Sequence, residues 1–517
     1  MDQASIRSWG GRLLLLALCG CSAGSLRDVT LPAPPVVREP VQVATAGAPR
    51  EIIVDLQLTV ARCDDYDPGA RRCGAGDRMA FRELNQAAAA ALPGDRVQVR
   101  GGVIRQQFAP GVSGIEGHPI RFTPYAEEQV IFRDIDQPAW LLKGVNHLLL
   151  EGFRLEQVLG WARLENAHYN LIRNNRFHEA LARGTTGGFK LVESHYNRVE
   201  GNRFERGNDS LVLQASDRNL IADNSFEWGR HSLISVRCGN YNVIRGNRFN
   251  NERQKAMEIY DCEGTSDAPF RLDATKRNLI EGNRFDHVRG SSRPHNYNAI
   301  QYAGQLGIVR HNLFRDCLGG GINLQVYSSE ALYNYGHRIY NNTFYANHCF
   351  ALIDTARGGA RIGENDFLNN LFYKNRDCRG GERQVELMWQ DLDRRSNALA
   401  DSDPGFVDES AGDLSLKARS PLVDAGVFLT RTTAAGTGSA LPVEDAAFFF
   451  DGAGVPGVVG DEIRLEGEGA VARILEIDFA QGRLLLDRDL SWRQGQGVSL
   501  RYSGGAPDMG AYERSMP

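Results

Sequence analysis

The sequence has no long amphipathic helical stretch through its middle third, and no apolar run of the length a membrane-spanning helix needs. It has no basic excess either. Its formal net charge is −5, without the cationic footprint of a nucleic-acid-binding protein, so no nucleic-acid partner is expected. Its nine cysteines include no C-x-x-C pair and no Cys/His ligand spacing, which argues against zinc. What it has instead is glycine, 56 residues of it, in a chain that is 42% hydrophobic and 24% charged, a composition suited to a large turn-rich protein.

Asn-x-Phe recurs every 22 to 36 residues, at Asn175–Phe177, Asn202–Phe204, Asn224–Phe226, Asn247–Phe249, Asn283–Phe285, Asn312–Phe314, Asn342–Phe344 and Asn365–Phe367. Five residues before each of the first five stands another asparagine: Asn170, Asn197, Asn219, Asn242 and Asn278. A period in this range built of short alternating strands predicts a parallel β-solenoid with one coil per repeat. Stacked coils sit about 4.7–4.9 Å apart, so repeated asparagines can bond along the stack and repeated phenylalanines can pile up inside it. Crossovers between parallel strands are right-handed. The expected fold is therefore all-β, a right-handed parallel β-helix, with function in whatever interrupts the repetition.

The expected organisation is a signal peptide over 1–20, a tether over 21–50, the β-helix with its N-terminal cap over 51–440, a β-rich insertion over 441–503 and an exit segment over 504–517. Residues 51–60 alternate as a strand, and Phe81 to Leu92 is alanine-rich and suited to a short helix. The insertion is expected to pack on the C-terminal end of the tube. Cys63 and Cys73 bracket an acidic loop and form the best disulfide candidate, with calcium binding by the loop as the alternative. Cys238, Cys262, Cys317, Cys349 and Cys378 are expected inside the coil stack. At the N-terminus, Arg7 and Arg12 precede the short apolar run Leu13 to Leu18, the pattern of an export signal. Its end, Leu18-Cys19-Gly20-Cys21, resembles a bacterial lipobox with Cys21 as the lipidated residue. Ser22 after it resembles outer-membrane sorting, implying an envelope lipoprotein facing the periplasm or the surface.

Aligning coils on Asn-x-Phe registers the strands Phe189–Val192, Leu211–Gln214, Ile234–Arg237 and Met257–Tyr260. Alternation sends Phe189, Leu191, Leu211, Leu213, Ile234, Val236, Met257 and Ile259 inward. The opposite face carries Lys190, Gln214, Arg237, Glu258 and Tyr260, extended by Gln301, Asn323 and Gln325, with His231 at its edge and His295 nearby in coil order. Such a strip, expected to be solvated, suits an acidic polysaccharide lying along the coils. Uronate β-elimination needs a cation for the C6 carboxylate, a base for the C5 proton and an acid for the leaving oxygen. Arg237 or Lys190 could be the cation, and His231 or Tyr260 the base or acid. Gln214, Glu258, Gln301, Asn323 and Gln325 would bind substrate, and Glu258 with Asp261 offers a possible Ca²⁺ site.

The entrance helix, the turn Ser113-Gly-Ile-Glu-Gly-His-Pro-Ile120, and the exit segments Asp403–Asp408, Ser420–Gly426 and Pro507–Glu513 resemble extracellular right-handed β-helix proteins, polysaccharide lyases among them. Arg237-Cys-Gly-Asn240 resembles the Arg-His-Gly-Asn step of the alginate and dermatan lyases of polysaccharide lyase family six. That resemblance implies a catalytic role for Arg237. It departs where the family has Lys-Ser, since Ala215-Ser216 stands there, and Val212 and Gln214 occupy positions of expected acids. The expected activity is a β-elimination lyase on a uronate-containing polysaccharide. The alternatives are a C5-epimerase, a non-catalytic exopolysaccharide-binding β-helix and, behind these, a glycoside hydrolase. A monomer is expected.

Overall fold

The computed structural model describes residues 49–182, 188–251, 253–260, 275–288, 298–326, 334–355, 362–388 and 392–514. Among the described residues three sheets of 14, 12 and 10 strands, parallel except where the edge strand Arg62–Tyr66 runs antiparallel to Arg78–Phe81 in the first, wind together as a parallel β-helix. We call them the flank, back and front sheets. Each coil contributes one short strand to each. The back-sheet strand Arg203–Glu205, the front-sheet strand Leu211–Gln214 and the flank-sheet strand Leu220–Ala222 follow one another within a single turn of the tube. The last back-sheet strand is Ala398–Ala400.

The repeat works as its chemistry requires. Phe177, Phe204, Phe226, Phe249, Phe285, Phe314 and Phe344 pile up through the core with ring centroids 4.7–5.2 Å apart. The amide of each motif asparagine donates to the next, as Asn202 Nδ2 does to Asn224 Oδ1 at 3.1 Å, and also reaches a backbone carbonyl of the preceding coil. These amides are fully buried, and burial without partners would cost each several kcal/mol, roughly 2–7. The ladder therefore makes the bend self-satisfying. Asn365 departs from expectation. Its Oδ1 accepts from the His337 backbone, Phe367 lies in the flank sheet, and the column instead continues through Asn370 and Phe372.

At the entrance, α1 (Leu84–Ala90) buries Leu84, Ala87 and Ala88 in the same core as Ile52, Val54 and Val97. It is shorter than expected and has no side-chain cap, so packing rather than capping holds it. The strand of residues 51–60 is confined to Glu51–Val54, because Asp55 turns inward to Tyr66 and Arg71. Cys63 and Cys73 are disulfide-bonded. The other cysteines do not simply pack as thiols: Cys349 pairs with Cys378, Cys238 is also disulfide-bonded, and Cys317 is buried and free. Cys21, Cys262, Asp261 and His295 lie outside the described residues.

The insertion is a six-stranded antiparallel sheet drawn from Thr430–Arg431 to Gly497–Leu500. It does not cap the C-terminal end as expected. It lies along the flank sheet, where Phe448, Phe449 and Phe450 share one core with Leu220, Tyr241, Val243, Leu279 and Ile308. The flank strands present apolar side chains outward, and these need a cover.

Candidate active site

On the front sheet the inward residues are as alternation requires: Phe189, Leu191, Leu211, Leu213, Ile234, Val236, Met257 and Ile259 are all fully buried. Two outward rows follow from the register. One runs Lys190, Val212, Ser235, Glu258, Gln301, Asn323; the other runs Val192, Gln214, Arg237, Tyr260. The strip is polar but not solvated, contrary to expectation. Gln214, Glu258, Gln301, Asn323 and Gln325 are all buried, so these groups must be satisfied by one another or by a ligand.

Around His231 they are largely satisfied by one another. Its Nδ1 meets the fully buried Asp209 carboxylate at 2.7 Å, and Glu258 Oε2 lies 3.9 Å from the same nitrogen. The Ser232 backbone N–H donates to Asp209 at 3.1 Å and its hydroxyl donates to Glu258 at 2.9 Å. Lys255 pairs with Glu258 and donates to Gln301 at 2.9 Å. Arg237 reaches Asp209 at 3.7 Å, donates to Ser235 Oγ at 3.2 Å and sits over the Tyr260 ring. Burial, reinforced by the Glu258 charge and hydrogen bond, raises the Tyr260 phenol, which keeps its proton. With Nδ1 committed to Asp209, His231 is fixed in one orientation with Nε2 as its remaining base, and the side chain is 35% exposed.

The turn carrying His231 is rigidly seated. Arg230 and His231 backbone N–H groups bond to Gly207 and Asn208 of the preceding coil. A Cβ on Gly229 would stand 2.7 Å from Leu233 Cδ2, so a larger residue there would have to displace the end of that buried side chain.

Of the sequence candidates, His231, Arg237, Tyr260, Glu258 and Gln301 converge, and Gln214 adjoins Arg237. Lys190 is two coils from Ser235 in its row, roughly 10 Å along the axis, and does not join them. Asn323 and Gln325 lie together on the next coil beyond Gln301. The Asn240 of the Arg-x-Gly-Asn step is structural: its Oδ1 accepts from Lys276 N and its N donates to Asp217. Sequence reasoning missed Asp209 and Lys255. The signal was present, because Asp209, Ser232 and Lys255 each stand two residues before a front-sheet strand.

The Ca²⁺ reading loses support here, since the Glu258 oxygens face Lys255 and Ser232 and an ammonium already supplies the positive charge. Residues 142–291, under a third of the chain, match the family described as periplasmic copper-binding protein (NosD). Among the described residues the one ligand-forming group of three is Cys63, Asp65 and Cys73. It lies outside that span and its sulfurs are tied in a disulfide, so no copper site is evident there. No curated protein matches the chain. Among solved structures, the chain is similar to pectate lyase Pel9A, at 13% identity and TM-score 0.44 over 90% of this chain and 97% of that one. It is also similar to an alginate lyase from Paenibacillus sp., at 15% and 0.37 over 59% and 96%. A GH136 lacto-N-biosidase from Eubacterium ramulus matches at 12% and 0.42 over 62% and 67%. Likenesses this distant bear on no activity.

Proposed function

We propose that this chain cleaves a uronate-containing polysaccharide by β-elimination on its front sheet. The observation that carries this reading is the gathering of an Asp209-oriented imidazole, a guanidinium and a protonated phenol on one face. Arg237 binds the C6 carboxylate and stabilises the charge that develops when C5 loses its proton. His231 Nε2 takes that proton. The C4–O bond breaks as the C4=C5 double bond forms, and Tyr260 protonates the departing oxygen. Tyr260 fits the acid because it stands protonated, and a phenol raised in this way gives its proton only to an oxygen as basic as the departing alkoxide; being protonated, it has no free base to offer C5. Hydrolysis fits less well, because the two carboxylates of the cluster are engaged by Ser232, Lys255, Arg237 and His231 rather than turned to a glycosidic bond.

The test is purified protein mixed with alginate, pectate and glycosaminoglycans while the absorbance of the unsaturated uronate is followed. A rise abolished by His231→Ala supports elimination. Proton exchange at C5 without a rise would instead indicate epimerisation, and binding without either would leave a scaffold. We further propose export and lipid anchoring through Cys21, on the strength of the N-terminal motif. Cys21→Ser should move the protein out of the membrane fraction, and unchanged fractionation would reject the anchor.

A further inference from the structure

Arginines on this tube are mostly engaged: Arg173 with Glu151 at 2.8 Å, Arg198 with Glu200 at 2.7 Å, Arg203 with Glu205 at 2.7 Å. The corner where each coil passes from the back sheet to the front sheet is different. Arg206, Arg230 and Arg253 stand there on three successive coils, all exposed, and among the described residues none has an ion pair or a side-chain hydrogen bond. Arg230 and Arg253 are equivalent positions, each four residues after a stacked phenylalanine and four before the first inward residue of its front strand. Arg206 and Trp228 are likewise equivalent, two residues after Phe204 and Phe226, and both take left-handed backbone angles, φ 60° and 62°. Trp228 is 41% exposed, the most exposed Phe, Trp or Tyr among the described residues. His231 follows Arg230 directly.

We propose that this corner is a binding rail for the anionic polysaccharide, resting on the elimination reading above and deepening it. Arg230 and Arg253 repeat at the coil spacing, about 4.8 Å along the tube axis, and Arg206 stands two residues earlier in the turn on the coil before, so a chain lying parallel to that axis passes a cation on each of three coils. A planar fork on each suits a carboxylate, and the Trp228 ring offers a flat apolar face to a sugar. The rail therefore selects a polymer with acidic groups on several consecutive residues, and holds it so that one uronate faces His231 and Arg237. A neutral glycan, or one with isolated charges, gains little from it.

The experiment uses the full chain and three variants: R206Q/R230Q/R253Q, Trp228→Ala, and Arg248→Gln as an exposed arginine on the back sheet away from the corner. Retardation in native gels containing polyuronate, and kinetics on polymer and on the shortest cleaved oligosaccharide, are measured. Exposed pairs are individually weak, so the triple variant should raise KM on polymer about tenfold. It should leave kcat on the short substrate near wild type and lose its retardation. The Trp228 variant should lose about fivefold in KM, and R248Q should match wild type. Added salt should weaken wild-type retardation more than that of the triple variant. If elimination proceeds with KM unchanged in the triple variant, the rail is wrong and the elimination reading stands. If no polymer is cleaved but retardation still depends on the three arginines, the rail stands and the elimination reading falls. Absence of wild-type retardation by any polyuronate, or equal retention of single-stranded DNA, would overturn the rail.

Discussion

The flank sheet and the front sheet are built from the same repeat, yet their polar residues do opposite work. On the flank, arginines are consumed by the insertion. Arg310 lies between Glu281 and Asp461 at 2.6 Å from each, Arg338 pairs with Asp445 at 2.7 Å, and Arg218 donates to the Ala453 carbonyl. Arg310 is almost fully buried, and its charge, with Arg245 beside it, holds Glu281 below the usual carboxylate range despite burial. On the front, the charged groups converge on a partly exposed histidine, and the arginines at its border are unpaired. A solenoid thus separates its faces by what covers them: a second sheet converts one flank into an interface, and the front keeps unspent charge. Cation density alone does not mark a site; unpaired cation density does.

Breaking the flank should cost stability and breaking the front should cost turnover. The largest effect is expected from Arg310→Ala, which strands two buried carboxylates and should destabilise by about 3–5 kcal/mol. Calorimetry and limited proteolysis would detect the insertion loosening; an unchanged melting profile would show that apolar packing alone holds it. His231→Ala should reduce turnover about 10²–10⁴-fold, the worth of a positioned acid–base group, and should also cost about 1–3 kcal/mol of stability, because it removes the 2.7 Å partner of the fully buried Asp209. Arg237→Ala should reduce turnover about a hundredfold or more. Its stability should move by no more than about 0.5–1 kcal/mol, since the pairs lost are long and partly exposed. A fully active Arg237→Ala protein would remove the cation from the mechanism.

A smaller effect separates the tube from its site by pH. His337 is buried and His168 and His311 are half-buried, and this desolvation pushes them down from 6.5 to about 3, 4 and 4. The geometry agrees for two of them: His168 Nδ1 accepts from His195 N, and His337 Nδ1 accepts from Gly307 N, so protonation would set N–H against N–H. Their folded values lie below the unfolded one. The stability they contribute is therefore complete above pH 6.5 and is lost as pH falls towards 4. Between pH 6.5 and 5.5 each should contribute about 1 kcal/mol of loss, and His337→Gln should flatten the slope by that share. An unchanged slope in that variant would show that His337 is not held neutral in the fold. The smallest effect is expected from Arg173→Ala, an exposed pair on the flank, at about 0.2–1 kcal/mol without change in activity.

The sequence by itself determined the repeat and most of its register. Asn-x-Phe has one physical meaning at coil spacing, and alternation then assigns inward and outward residues without reference to the rest of the chain. It also determined that His231, Arg237 and Tyr260 lie on one side, and that Cys63 and Cys73 are close enough to join. The tertiary structure decided what those residues touch. Solvation of the strip was misjudged because alternation gives direction and not cover: Glu258 and Gln301 point outward and are nonetheless buried. Asp209 and Lys255 escaped notice because they lie on turns, where periodicity assigns no face. The insertion's seat on the flank depends on Asp461 and Asp445 meeting Arg310 and Arg338 across more than a hundred residues of chain, a pairing that no local pattern contains.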